Sequence, residues 1–360
     1  VRILIIDDSA LYRKILSESC ASIPDVTTTA LANWSLARSK LETETFDLVL
    51  LDVFMPEMNG PEVLDALKQN WPKLPVVMVS GATGRDAEIT LACLSKGAID
   101  FIGKPAGSSF ESGLEALKAE IRRVVEAVRS KIPITPTAQA SNSSFIAKAA
   151  SQPSTPQPSK RLNPPPFLDL VLIGVSTGGP KALSEILPQI PANFPVPILI
   201  VQHMPPVFTL SLAEQLNRVS PLNVIEAPAS HHPKVGEILI APGGKHLEVV
   251  RNSAGMLETR HTDAPPVHSC RPSVDVLFES ASKCALRGAV AVVLTGMGSD
   301  GADGVAKLKA ALPTWCIAQN AETCAVFGMP QAVIGAGLDD ECLPLAEIAP
   351  RLNKLFRVGI

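Results

Sequence analysis

Short apolar runs alternating with amphipathic stretches fill the first 130 positions of the chain. Runs at Ile3–Ile6, Leu48–Leu51, Val76–Val79 and Ile99–Ile102, with a weaker one near Val26–Leu31, have the length and aliphatic content of strands buried on both faces. Between them, Leu11–Cys20, Leu36–Leu41, Pro61–Gln69 and Ala87–Leu94 carry helical periodicity, and a longer helix is expected over Phe110–Val128. This alternation predicts an α/β fold, an N-terminal (βα)5 doubly wound domain over residues 1–128. From Lys131 to Phe167 the pattern dissolves into Pro, Ser, Ala and Gln, ending in Pro164-Pro165-Pro166. Such a composition buries too little apolar area to offset its ordering entropy, so a flexible linker is expected over 129–167. A second α/β pattern begins at Leu168. Its strand-like runs are Leu170–Ile173, Ile198–Val201, Ile238–Ile240, Ala289–Leu294 and Cys316–Ala318, and a C-terminal α/β parallel-sheet domain is expected over 168–360.

Composition narrows the function class. Hydrophobic residues make up 46% of the 360 and charged residues 19%, the balance of a soluble globular chain. A formal net charge of −3 gives no field that favours nucleic acid or an anionic membrane as partner. No apolar run approaches the ~20 residues that span a bilayer. The chain enters a strand at once, so no secretory signal is expected. Seven cysteines without a Cys-x-x-Cys pair read as reduced thiols of a cytoplasmic protein. Six of them read as small buried hydrophobes; Cys270 is the exception.

The first chemistry lies at strand ends. Asp7 and Asp8 follow the first run and Asp52 follows the third. In an open parallel sheet the carboxyl ends of the strands form the ligand crevice, so these carboxylates should converge. Three close carboxylates repel one another unless a cation sits among them, and an incomplete shell of hard oxygens suits Mg²⁺. Ser80 and Lys104 end the fourth and fifth runs, adding a hydroxyl and an ammonium. A carboxylate beside Mg²⁺ and Lys is equipped to accept a phosphoryl group. The runs Ile5-Ile6-Asp7-Asp8-Ser9, Leu51-Asp52-Val53-Phe54-Met55-Pro56 and Lys104-Pro105 resemble a response-regulator receiver domain. That resemblance implies phosphorylation of Asp52 by a histidine kinase. It also implies Mg²⁺ on Asp7 or Asp8, Asp52 and the Phe54 carbonyl, and a switch pair of Ser80 and Phe101 coupled through Lys104.

The second domain offers a serine, a histidine and an aspartate. Val171-Leu172-Ile173-Gly174-Val175-Ser176-Thr177-Gly178-Gly179-Pro180 reads as strand, Gly-rich turn and helix start. The helix N-terminus places unpaired N–H groups and a positive dipole end beside Ser176. Alone, such a turn more often binds phosphate or merely turns. His203 ends the next strand, and Asp300 lies in the Gly-rich turn Thr295-Gly296-Met297-Gly298-Ser299-Asp300-Gly301 after a third. Nucleophile, general base and orienting acid are thus expected at one sheet edge. His231 and His232 sit in a polar loop before Pro233, His246 and His261 follow or end strand-like pieces without an obvious acidic partner, and no histidine has metal-ligand spacing, which disfavours a zinc hydrolase. His268 stands in a loop fit to line the cleft, and its neighbour Cys270 has the wrong geometry to use it as a base.

These residues, with Gln202–Pro206, Ala241–Leu247, Arg271–Asp275 and Cys324–Pro330, resemble the chemotaxis protein-glutamate methylesterases, the CheB family. The resemblance implies Ser176 as nucleophile, His203 as base, Asp300 as its orienter, and the backbone N–H groups of Met297 and Thr177 as oxyanion donors. It implies methylated chemoreceptor glutamates as substrate, methanol as product, and in some members deamidation of receptor glutamines. Three positions depart from the family pattern. Val207 stands where glycine is usual, His268-Ser269-Cys270 replaces a usual Asn-Gly-His, and Ser299 replaces asparagine. On the residues alone, two rivals stay open: a receiver-gated receptor-binding module with an inactive triad, and a serine hydrolase of another ester.

Overall fold

The computed structural model describes residues 1–81, 83–105, 110–129 and 163–358; the expected linker falls largely outside them. The N-terminal domain comprises β1 (Arg2–Ile6), α1 (Ala10–Ala21), β2 (Thr27–Leu31), α2 (Trp34–Leu41), β3 (Leu48–Asp52) and α3 (Gly60–Asn70). β4 (Val76–Ser80), α4 (Gly84–Ser95), β5 (Asp100–Gly103) and α5 (Phe110–Arg129) complete it. The sheet order β2-β1-β3-β4-β5 is wholly parallel. The fully buried β3 and β4 read as uninterrupted aliphatic runs because helices cover both faces. Edge strand β2, Thr-rich and half exposed, gave the weaker signal for the same reason. Helix starts follow their caps: Asn59 and Thr83 form capping boxes with Glu62 and Asp86.

The C-terminal domain begins with β6 (Leu170–Val175), α6 (Gly179–Ile186), β7 (Ile198–Gln202), α7 (Phe208–Asn217), β8 (Asn223–Glu226) and β9 (Glu237–Ile240). A hairpin of β10 (His246–Arg251) and β11 (Leu257–Thr262) follows, then α8 (Val274–Ser282), β12 (Ala289–Val293) and α9 (Ala302–Ala311). β13 (Thr314–Gln319), α10 (Met329–Gly335), β14 (Glu341–Leu343) and α11 (Leu345–Phe356) close the chain. The parallel sheet has the order β14-β13-β12-β6-β7-β9-β8. It therefore has seven strands where five runs were apparent in the sequence. The additional two, β8 and β14, are edge strands of four and three residues with partly exposed side chains, too short and polar for a buried-run signal. Strand order reverses between β6 and β12, and the loops after β6, β7 and β12 open at that switch point.

One apolar cluster runs through both domains. It crosses the boundary where Phe101 of β5 stacks on Phe208 of α7, with centroids 4.2 Å apart and planes 20° apart. Helix α4 packs on α6 and α7, and Gln215 Nε2 donates to Ser95 Oγ at 3.0 Å. The receiver thus rests on the carboxyl-end loops of the second sheet.

Just before α7, Val207 sits at φ 73°, ψ −44°. A β-branched side chain at positive φ is a backbone outlier, where glycine adds no steric strain. Val207→Gly is expected to stabilise the C-terminal domain by about 1 kcal/mol, the relieved strain less glycine's extra chain entropy. The check is a rise of roughly 2–4 °C in its thermal transition.

Candidate active site

Ser176 follows β6 in a turn that its neighbours define closely. Gly178 takes φ 80° to open α6, and Ser176 N–H donates to the Thr295 carbonyl at 3.0 Å. A Cβ on Gly296 would lie 2.8 Å from Ser176 Cβ, so glycine is required where the β12 loop crosses the serine. Gln202, ending β7, donates from Nε2 to the Ser176 carbonyl at 3.0 Å and fixes the strand that presents His203. Ser176, Thr177 and Asp300 are buried.

His203 Nε2 lies 2.7 Å from Asp300 Oδ2. The Asp300 carboxylate also closes the N-terminus of α8: it accepts from Val274 N–H (2.7 Å), Asp275 N–H (2.9 Å) and Ser273 Oγ (2.8 Å). Burial alone would raise its pKa, but the bond to His203 and these N–H donors hold it down to about 2. Asp275 reciprocates, accepting the N–H groups of Gly301 and Gly304 at the start of α9. Burial and the Asp300 charge push it up to about 6. Neither capping role was legible in the sequence, although Ser273-Val274-Asp275 at a helix start was its signal.

The other imidazole nitrogen, His203 Nδ1, faces Cys270 Sγ at 3.5 Å. Among the described residues, no hydrogen bond joins Ser176 Oγ to His203. Burial would depress the imidazole, yet Asp300 and Cys270 together push it up to about 9. Cys270 is delivered by a two-residue turn in which Val267 and Cys270 exchange both backbone hydrogen bonds, with His268 at φ 49° and Ser269 at φ 61°. Both central residues are left-handed, as in a type I′ turn, which explains why the usual family residues there are Asn-Gly. His268 pairs with Asp275 Oδ2 at 3.0 Å. His268, Asp275 and Asp303 bring ligand atoms within 4.8 Å of one another, but the Asp275 oxygens are already engaged in capping and in the His268 pair.

The receiver reaches the turn that carries Ser176. Arg123 Nη1 of α5 donates to Thr177 Oγ1 at 2.5 Å, and Thr177 Oγ1 donates to Asp100 Oδ2 at 2.6 Å. Arg123 and Asp100 are themselves paired at 3.0 Å. Neither residue had a signal in the sequence beyond a polar position beside an apolar stripe.

At the receiver's own crevice, Asp7, Asp8 and Asp52 hold carboxylate oxygens within 4.8 Å of one another. Lys104 Nζ lies 2.8 Å from Asp52 Oδ1 and 3.0 Å from Asp7 Oδ2. The second contact is not aligned as a hydrogen bond, which leaves Asp7 Oδ2 buried without a directed donor. Burial, aided by the Asp7 charge and opposed by Lys104, pushes Asp52 up to about 6. An under-satisfied buried oxygen and repelling carboxylates are what a divalent cation would relieve, so the residues fit Mg²⁺. Phe54 N–H bonds Asp52, while its ring is exposed. Ser80 Oγ is buried and accepts from Thr90 Oγ1 at 2.7 Å.

Comparison with known proteins gives this geometry a family. The CheB methylesterase model matches residues 171–352, and the response regulator receiver domain matches residues 3–117. The chain belongs to the CheB methylesterase family. A protein-glutamate methylesterase/protein-glutamine glutaminase of Desulfotalea psychrophila is 39% identical over 98% of this chain and 97% of its own length. The Bacillus subtilis protein of the same name is 38% identical over 99% of both. The crystal structure of the Thermotoga maritima CheB methylesterase catalytic domain, 42% identical, matches with a TM-score of 0.50 over 52% of this chain and 99% of its own. This CheB-family chain is thus an enzyme of chemotactic adaptation, a protein-glutamate methylesterase/protein-glutamine glutaminase behind a receiver. Among the described residues, no helix is long and apolar enough to cross a membrane.

Proposed function

We propose that Ser176 is the nucleophile, His203 its general base and Asp300 the orienting acid. The observation that carries this reading is the 2.7 Å His203–Asp300 pair beside Ser176 at the switch point of the sheet. With Nε2 bonded to Asp300, Nδ1 is the lone pair that takes the serine proton as Oγ attacks the ester carbonyl. The N–H groups of Met297 and Thr177 receive the developing oxyanion; each such donor typically supplies ~3–4 kcal/mol of transition-state stabilisation. Collapse of the tetrahedral species expels methanol, and water completes the cycle through the same base. The substrate is a methyl-esterified glutamate of a chemoreceptor; with an amide in its place, the same steps release ammonia.

We read the docked arrangement of the two domains as the restrained form. Arg123 and Asp100 grip Thr177, next to the nucleophile and itself an oxyanion donor, and Phe101 is held against Phe208. Phosphorylation of Asp52 by a histidine kinase draws the Ser80 hydroxyl toward the phosphoryl group, with Lys104 coupling the loops, and Phe101 leaves Phe208 for the receiver interior. Mg²⁺ held by Asp7, Asp8, Asp52 and the Phe54 carbonyl would offset the charge of the transferring oxygens. The docked and released arrangements then exchange populations, with the triad unchanged. The enzyme works in the cytoplasm, where the kinase and the receptor tails are.

The test is methanol release from methylated receptor membranes with a small-molecule phosphodonor. Wild type should rise by about 5- to 150-fold. Asp52→Asn keeps the shape but removes the accepting charge, so it should show its basal rate and incorporate no phosphate. Full activation of Asp52→Asn would show that control enters elsewhere.

The raised His203 also predicts a pH profile. The base must be neutral, so kcat/KM of the unphosphorylated enzyme should climb about tenfold per pH unit and level off only near pH 9. In stability the sign is opposite. A histidine raised above its ordinary value stabilises the fold fully below about pH 6.5, and that contribution is lost as pH rises through about 9. A pH–rate profile that levelled off at pH 6.5 would contradict this environment for His203.

A further inference from the structure

Cys270 takes no part in the ester chemistry above, yet its sulfur is 3.5 Å from the nitrogen that chemistry depends on. Cys270 Sγ, His203 and Asp300 form a continuous relay of thiol, imidazole and carboxylate, with separations of 3.5 Å and 2.7 Å. A nucleophile within reach of a base, itself oriented by a third group, is the arrangement that activates a thiol. Asp300 is locked by three donors at the α8 N-terminus, so the imidazole is held in place. The left-handed turn at His268 and Ser269 puts backbone strain where the sulfur is presented.

The other cysteines differ in kind. Cys20, Cys93, Cys284, Cys316 and Cys324 are buried, whereas Cys270 is half-buried and Cys342 exposed. Burial pushes the Cys20 thiol up to about 12 and the Cys93 thiol up to about 11, which leaves them protonated and inert.

We propose that Cys270 is a site of reversible S-thiolation by low-molecular-weight disulfides, and that the modification silences the esterase. The inference rests on the reading of His203 as a base. His203 Nδ1 takes the Sγ proton, and the thiolate attacks one sulfur of the disulfide. The Cys270–sulfur bond forms as the small disulfide's S–S bond breaks, and the departing thiolate collects the proton. Cys270 is oxidised to a mixed disulfide while the small disulfide is reduced by the same two electrons, so no further reagent is needed. The attached group then hangs from a sulfur that lies 3.5 Å from the nitrogen that the Ser176 proton must reach. Excess small thiol reverses the exchange.

The experiment uses the full chain, oxidised glutathione as the disulfide, peptide mass mapping and methanol release. Cys270, with His203 Nδ1 at 3.5 Å, should acquire one glutathionyl group at least about tenfold faster than the exposed Cys342. Methanol release should fall in step with Cys270 occupancy and return with dithiothreitol. The activity that remains in Cys270→Ala should not respond to the disulfide. His203→Gln should slow thiolation of Cys270 by about tenfold or more. Ser176→Ala, inactive as an esterase, should be thiolated at the wild-type rate, which separates this proposal from the nucleophile assignment. Thiolation of Cys270 no faster than of Cys342 overturns the proposal. So does a rate unaffected by His203→Gln, or undiminished methanol release from the fully thiolated enzyme.

Discussion

Ser176→Ala should lower methanol release from methylated receptors by about 10⁴- to 10⁶-fold while leaving the melting transition of the C-terminal domain in place. The serine is buried in a turn fixed by backbone contacts, and the loss of one hydroxyl removes no partner on which those contacts depend. Asp300 behaves differently. Asp300→Asn keeps an acceptor at Oδ1 for Ser273 Oγ and Asp275 N–H but replaces the oxygen facing Val274 N–H and His203 and loses the charge that stabilises the imidazolium, so a fall of about 10⁴-fold with a folded domain is expected. Asp300→Ala strips Val274 N–H, Asp275 N–H and Ser273 Oγ of their acceptor. It should therefore lose activity and also destabilise the domain by roughly 1–3 kcal/mol for each donor left buried. Because the triad acts as a unit, combining Ser176→Ala with Asp300→Asn should add little to the worse single change. Near-normal turnover by Ser176→Ala would sink the nucleophile assignment and leave a thiol or a bound water to explain the chemistry.

The difference between the two aspartate substitutions marks how far the sequence could be read. The positions of Asp7, Asp52, Ser176 and His203 at strand ends, and of Asp300 in the loop beyond one, were legible because doubly covered parallel strands make uninterrupted aliphatic runs that open on the crevice. Sequence periodicity says where such a run ends. It does not say what a side chain meets across the fold. The second role of Asp300, as acceptor for the N-terminus of α8, emerges only once that helix is seen to start against it. Cys270 reads as an isolated thiol because its partner His203 lies 67 positions away. The identity of Cys270's neighbour depends on the backbone of His268 and Ser269, two residues that ordinarily avoid the left-handed region they occupy. Arg123 was invisible for a further reason. Helix α5 buries Leu117, Ile121, Val124, Val125 and Val128, so a basic residue between them passes for a solvated face. Only the docked second domain converts it into a contact with Thr177.

That contact yields the second large effect. Arg123→Ala should raise the unphosphorylated esterase rate by roughly 10- to 100-fold, since a hydrogen bond involving a charged group is worth about 1.5–3 kcal/mol and 1.4 kcal/mol is a factor of ten. In the docked form Asp100 is buried, accepts from Thr177, and has Arg123 at 3.0 Å as its compensating cation. Removing the guanidinium leaves that carboxylate buried without compensation only while the domains are docked; once they part, water solvates it. The substitution therefore penalises the restrained arrangement and spares the released one. It touches no residue of the phosphorylation site, so phosphate incorporation at Asp52 should continue, and the gain from a phosphodonor should shrink as the basal rate approaches the activated one. Arg123→Lys, which keeps the charge but loses the planar fork, should fall between wild type and alanine. An Arg123→Ala enzyme that accepts phosphate normally yet shows no basal rise would mean that the Phe101–Phe208 stack and the α4–α7 packing hold the receiver in place by themselves. The polar grip on Thr177 would then be a consequence of docking and not its cause.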